Sequence, residues 1–154
     1  MNEAVLAGAL TVAALNLVAA LLGSWVWWRG EVRGAEARAF WVALRVGQGS
    51  VVVFAIALAA LAIAGHHAKE GLFYLYALLP LAVAFVAEQL RVLSAQAVLD
   101  QRGLEGSAEV GALPESEQQL LVGEVLRREL GVMTISAWVV VGLALRAATT
   151  AHGF

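Results

Sequence analysis

Cysteine is absent from this chain, which excludes disulfides, thiolate metal sites, iron–sulfur clusters and thiol nucleophiles. Charge is scarce too. Only 14% of the 154 residues are Asp, Glu, Lys or Arg, against about 25% in ordinary soluble domains. The sequence contains no GxSxG nucleophile elbow, no HExxH pair and no P-loop, so nothing in it signals hydrolytic or phosphoryl-transfer chemistry. No catalytic residue is expected, and the chain reads as non-enzymatic. It also has no basic patch suited to nucleic acid. A further absence concerns position: no ionisable side chain falls near the middle of any long apolar run. Proton-coupled transporters and proton relays typically carry one there.

Apolar residues fill the space left by these absences. They make up 61% of the chain, and the mean hydropathy is +0.79. A single domain of this length cannot hide that much apolar surface from water, so an integral membrane protein is expected. Four runs without charge, at residues 4–28, 46–65, 71–87 and 130–145, are compared with the roughly 20 apolar residues that a spanning helix needs. The first two suffice. The last two reach that length with flanking side chains such as Arg91 and Arg146 that snorkel toward the interface. The expected spans are residues 4–28, 40–65, 71–90 and 128–148. The opening Met-Asn-Glu lacks the basic stretch of a secretory signal. The cluster of Trp25, Trp27 and Trp28 before Arg29 resembles an interfacial belt. The first helix is therefore expected to be retained.

The stretch 72–100 organises the rest. Its first half is apolar, and from Glu88 it becomes charged and amphipathic without a helix breaker. One helix about 44 Å long at 1.5 Å per residue is expected to leave the membrane and continue into water. The last helix, starting near Pro114-Glu-Ser-Glu117, is expected to do the same, since Pro and acidic residues suit a first turn. The fold class is thus all-α: an antiparallel bundle of four transmembrane helices, with the third and fourth extended as a cytoplasmic helical hairpin over about 88–129. Val92, Leu99, Leu121 and Val125 are expected to pack within that hairpin or against a partner. Residues 100–114 are expected to form the one long loop. Pro80 lies mid-span, where it removes a backbone hydrogen bond to the Tyr76 carbonyl. Asn16 is placed to hydrogen-bond a neighbouring helix, an interaction worth about 0.6–2 kcal/mol. Small-residue pairs at Ala4/Gly8, Ala19/Gly23, Ala43/Gly47 and Ala60/Ala64 permit close helix approach.

Orientation follows from cation asymmetry. With the first connection inside, eight arginines lie on the cytoplasmic side, and only Lys69 and Arg146 lie outside. Both termini then face out from a plasma membrane. Nine of the ten cations are Arg in an Ala-, Val- and Leu-rich chain, a composition in keeping with a GC-rich bacterial genome.

Two constellations could carry function. At the inner edge, Arg45 and Gln48 share a face of the second helix, and Glu88 and Arg91 share one of the third. Glu124, Arg127, Arg128 and Glu129 follow on the fourth, with acid-to-base spacings of three and four. Cross-helix pairs such as Glu88–Arg45 or Glu88–Arg127 are expected, either as structural ties and topology anchors or as a site for an anionic lipid headgroup or small anion, or as a gate. On the outer side, His66, His67 and Glu70 share a short loop, with His152 near the outward C-terminus. Imidazole and carboxylate are ligands for Zn, Cu or Ni, so a metal or redox-cofactor protein is the weakest of three readings. No cofactor is expected in the leading one, an accessory or scaffold subunit packing with itself or with a larger membrane complex. Its rival is a small homo-oligomeric channel or transporter whose inner mouth carries the charge layer.

Overall fold

A computed structural model describes residues 2–104 and 107–151, and every regular element among them is helical. Helix α1 spans Asn2–Arg29, α2 Ala35–Ile63, α3 Gly71–Gln101, α4 Ser107–Ala112 and α5 Glu115–Thr150. All but α4 are long and apolar enough to cross a membrane. At 1.5 Å per residue, α1 and α2 measure about 42 and 44 Å, α3 about 47 Å and α5 about 54 Å. Helix α3 runs unbroken through Pro80. The ends of α2 and α3 are set by glycine: Gly65 has φ +84° and Gly103 φ +67°, a left-handed conformation that costs glycine little. Just beyond each, an amide N–H folds back onto the helix. His66 donates to the Leu61 carbonyl and Leu104 to the Leu99 carbonyl.

Helix α5 lies centrally, packed along both α1 and α3, while α1 also packs along α2. Helix α2 meets α3 over a far smaller seam and barely touches α5. Three apolar layers follow one another along the helix axes. The first joins Val26, Phe40, Leu44, Ala87, Leu130 and Met133. The middle one joins Val12, Ala13, Val51, Val140 and Ala144. The third joins Val5, Leu58, Phe73, Ala77 and Ala147. The start of α1 therefore lies beside the end of α2, the start of α3 and the end of α5, so successive long helices run in opposite directions.

Close approach depends on three small positions. A methyl group built on Gly8 would lie 2.7 Å from the Phe54 ring, and one on Gly47 would lie 2.8 Å from Asn16 Oδ1. One built on Gly23 would lie 2.7 Å from the Phe40 ring and would also meet the Thr134 hydroxyl. Gly23 is thus the notch where α1, α2 and α5 converge. Of the small-residue pairs singled out in the sequence, Ala60 and Ala64 are exposed and serve no such contact. Polar groups in the interior are satisfied locally. Asn16 Nδ2 donates to the Val12 carbonyl at 2.9 Å and to the Gly47 carbonyl on α2 at 3.3 Å. Thr134 donates to the Leu130 carbonyl at 2.7 Å. Among the described residues, no buried side-chain polar atom lacks a partner.

One expectation needs correction, and for Val92 packing within the hairpin is removed while packing against a partner is left. The segment 100–114 is not simply a loop, because α4 occupies part of it and Val110 lines one apolar groove with Leu99, Leu121 and Val125. Within the extension of α3, Val98 rather than Val92 is the buried residue. Val98 is 1% exposed and Val92 56%. Helical geometry accounts for this: six residues apart, the two positions lie about 120° apart around α3, so burial of one leaves the other open.

Replacing Gly23 by Ala should overpack the notch by about 1–3 kcal/mol. That outweighs the roughly 0.5–1 kcal/mol that Ala gains over Gly within a helix. Gly142→Ala meets no atom within 4 Å and should be neutral or stabilising. Thermal melts in detergent check this, and a Gly23→Ala melt equal to that of Gly142→Ala would contradict the packing described.

Candidate functional site

The charged end of the helix array, beside the Phe40–Leu130 layer, gathers most of the residues singled out by spacing. Glu88, one turn after Phe85 on α3, lies at the thin seam with α2. Its Oε1 accepts hydrogen bonds from Arg45 Nη1 and, at 3.2 Å, from Gln48 Nε2. Its Oε2 accepts one from Arg91 Nη1 at 3.3 Å. Arg45 Nη1 also donates to Gln48 Oε1 at 2.7 Å, which fixes both α2 side chains toward the carboxylate. Arg91 continues the chain of contacts: its Nε lies 3.4 Å from Glu129 Oε2 on α5, and its guanidinium stacks 5.4 Å from the centre of the Trp41 ring. Glu129 is the least exposed member at 17%, while Arg45 is 53% exposed. One carboxylate therefore ties α2 to α3, and one guanidinium ties α3 to α5.

A second cluster lies farther along the extension. Glu124 Oε2 accepts from Arg102 Nη2 at 2.9 Å, and its Oε1 lies 3.8 Å from Arg128 Nη2. Arg128 also donates to Gln101 Oε1 at 2.8 Å. The residues grouped by sequence as one charge layer thus fall into two clusters, Arg45/Gln48/Glu88/Arg91/Glu129 and Gln101/Arg102/Glu124/Arg128. Arg127 belongs to neither. It turns to a cleft lined also by Gly30, Glu31, Arg33, Gln119 and Gly123, so a Glu88–Arg127 pair is not formed. Four participants were not anticipated: Trp41, Gln101, Arg102 and Arg33. Trp41 had a legible signal, since it precedes Arg45 by four residues and so shares its face of α2. Gln101 and Arg33 had none: Arg33 Nη2 donates to the Gln119 carbonyl at 3.0 Å across more than eighty residues.

Comparison with protein-family models, curated proteins and solved structures returns no match. The reading of this end of the molecule therefore rests on its geometry. Both clusters have acids and bases arranged to satisfy each other across neighbouring helices.

At the opposite end, His66 and His67 are exposed in the turn 64–70 and His152 lies outside the described residues. Glu70 directly precedes α3, and no group of three or more His, Asp or Glu side chains is placed to hold a metal among the described residues. The turn is closed instead by the Ala68 amide, which donates to the Tyr74 hydroxyl at 3.0 Å. Arg146 stacks on Tyr76 with 5.7 Å from guanidinium carbon to ring centre.

Substitution ranks the members of the first cluster. Glu88→Gln removes the one carboxylate shared by Arg45 and Arg91 and should lower stability in detergent by about 1–2 kcal/mol, as expected for charge-assisted hydrogen bonds that are partly open to solvent. Arg45→Gln leaves Glu88 paired with Arg91 and should cost less than about 1 kcal/mol. Equal losses, or the reverse order, would show that Glu88 is not the hub.

Proposed function

We propose that the chain is a multi-pass protein of the cell membrane with a packing role rather than a catalytic one. In this reading α1, α2, α3 and α5 cross the bilayer as a bundle, both termini face out, and the extensions of α3 and α5 with α4 stand in the cytoplasm. The protein acts as an accessory or scaffold subunit, associating with itself or with a larger membrane complex.

The observation that carries this reading is the dry middle layer. Val12, Ala13, Val51, Val140 and Ala144 fill it, and the buried polar side chains near it, Asn16 and Thr134, hydrogen-bond backbone carbonyls. Among the described residues no chain of polar groups links one end of the molecule to the other, so a path for ions or protons through a single copy has no support. Helix α2 adds weight. Only 17% of its apolar window is buried within the chain, against 50% for α5. Val42, Val46, Val53 and Ile56 lie on its exposed surface. A seam between copies along those residues would be apolar, which suits helix packing better than a pore.

Flux through liposomes carrying the purified protein is the direct test. The proposal expects no specific leak of small cations or anions above protein-free vesicles. A specific flux that disappears in both Glu88→Gln and Arg45→Gln while the fold survives would establish the channel reading instead. Gentle extraction from the native membrane followed by native mass spectrometry should give a defined homo-oligomer or a stoichiometric complex. A bare monomer would contradict the packing role.

A further inference from the structure

The cleft beside Arg127 differs from the two ion-pair clusters in having guanidinium charge left over. It has a volume of about 550 Å³ and lies between the connection from α1 to α2 and the first turns of α5. Among the described residues, Arg127 has no carboxylate within ion-pair distance. Arg33, on the opposite wall, donates to the Gln119 carbonyl and likewise meets no carboxylate. Two acids share the lining. Glu124 is already engaged by Arg102 and Arg128, while Glu31 forms no ion pair among the described residues. By contrast, Arg45, Arg91, Arg102 and Arg128 are each paired with a glutamate.

The depth of the cleft points to its ligand. Trp27 lies level with Gly131 of α5, since a methyl group on that glycine would sit 3.5 Å from the indole nitrogen. Trp25, Trp27 and Trp28 are 47%, 50% and 83% exposed, the belt that marks a membrane interface. Arg127 precedes Gly131 by four residues, one helical turn or about 6 Å farther from the apolar layers. That is where lipid phosphates lie when the indoles occupy the interface. Guanidinium groups recognise phosphate oxygens by paired N–H donors, and basic pockets between helices on the cytoplasmic side take anionic headgroups.

We infer that the cleft between Arg33 and Arg127 binds the phosphodiester headgroup of an anionic phospholipid from the cytoplasmic leaflet. This rests on the membrane placement proposed above. It moves lipid recognition away from the Glu88 cluster, whose charges are already matched, to a site that the chain leaves open. Glu31 is a repulsive neighbour of the bound phosphate.

The test uses the full chain reconstituted in bilayers of equimolar phosphatidylglycerol, phosphatidylethanolamine and phosphatidylcholine, followed by native mass spectrometry of retained lipid. Wild-type protein should keep phosphatidylglycerol preferentially. The double substitution Arg33→Gln with Arg127→Gln should reduce retention roughly tenfold or more, at about fivefold per guanidinium. Arg38→Gln, outside the cleft, should leave retention unchanged, and Glu31→Gln should raise it. Circular dichroism confirms that each variant stays folded. Undiminished phosphatidylglycerol on the folded double variant would overturn the site. Preference for phosphatidylethanolamine, lost in Glu31→Gln, would overturn the anionic assignment. Displacement of the lipid by millimolar inorganic phosphate would assign the cleft to a soluble anion. Protein that an alkaline wash strips from the bilayer would instead refute the membrane placement, an outcome separate from all of these.

Discussion

The exclusion of charge from one long apolar stretch in each of the four long helices is the constraint on which the rest of the structure depends. Within those stretches no ion pair holds the helices together among the described residues, so contact must come from shape. The notches at Gly8, Gly23 and Gly47 receive Phe54, Phe40 with Thr134, and Asn16 respectively. Each lets a bulky or polar side chain from a neighbour enter where a methyl group would collide. Such close approach is how helices associate where water supplies no hydrophobic drive. The few polar side chains in this region turn back to their own helix backbone, and Asn16 reaches one carbonyl across to α2.

At the charged end the same constraint is met differently. Helix α2 has little contact with α3, and the Glu88 carboxylate reaches across that weak seam to Arg45 and Gln48. Arg91, stacked on Trp41 and paired with Glu129, extends the tie to α5. Groups so thoroughly matched have little capacity left for a ligand. The contrast with Arg33 and Arg127, which line one cleft and ion-pair with no carboxylate among the described residues, is the basis for separating structural charge from charge proposed for binding. Sequence spacing alone cannot make that separation, because Arg127 and Arg128 are adjacent yet turn to different partners.

Much of this was legible in the sequence. Charge-free length identified the four long helices, and the lack of a breaker after Glu88 revealed that α3 continues past its apolar half to Gln101. The contact of Glu88 with Arg91 follows from a spacing of three, and its contact with Arg45 from equal depth on antiparallel neighbours. What was not legible depends on rotation and on distant closure. Whether Val92 or Val98 turns inward is set by how α3 is rotated against α5, and both are valines. Helix α4 is a short element flanked by glycine-rich sequence, with too few residues to show a period. The approach of Arg33 to the Gln119 carbonyl joins two connections whose positions are fixed only once α1 and α5 have packed.

Membrane placement and orientation are the central claim, and the absence of cysteine makes them directly measurable. Single-cysteine variants Ala35→Cys, Lys69→Cys and Ser116→Cys would each present one thiol to a membrane-impermeant reagent in intact cells. The account predicts labelling at position 69 alone, with positions 35 and 116 reacting only after the membrane is permeabilised. Labelling of all three from one side, or of 35 and 116 but not 69 in intact cells, would contradict it.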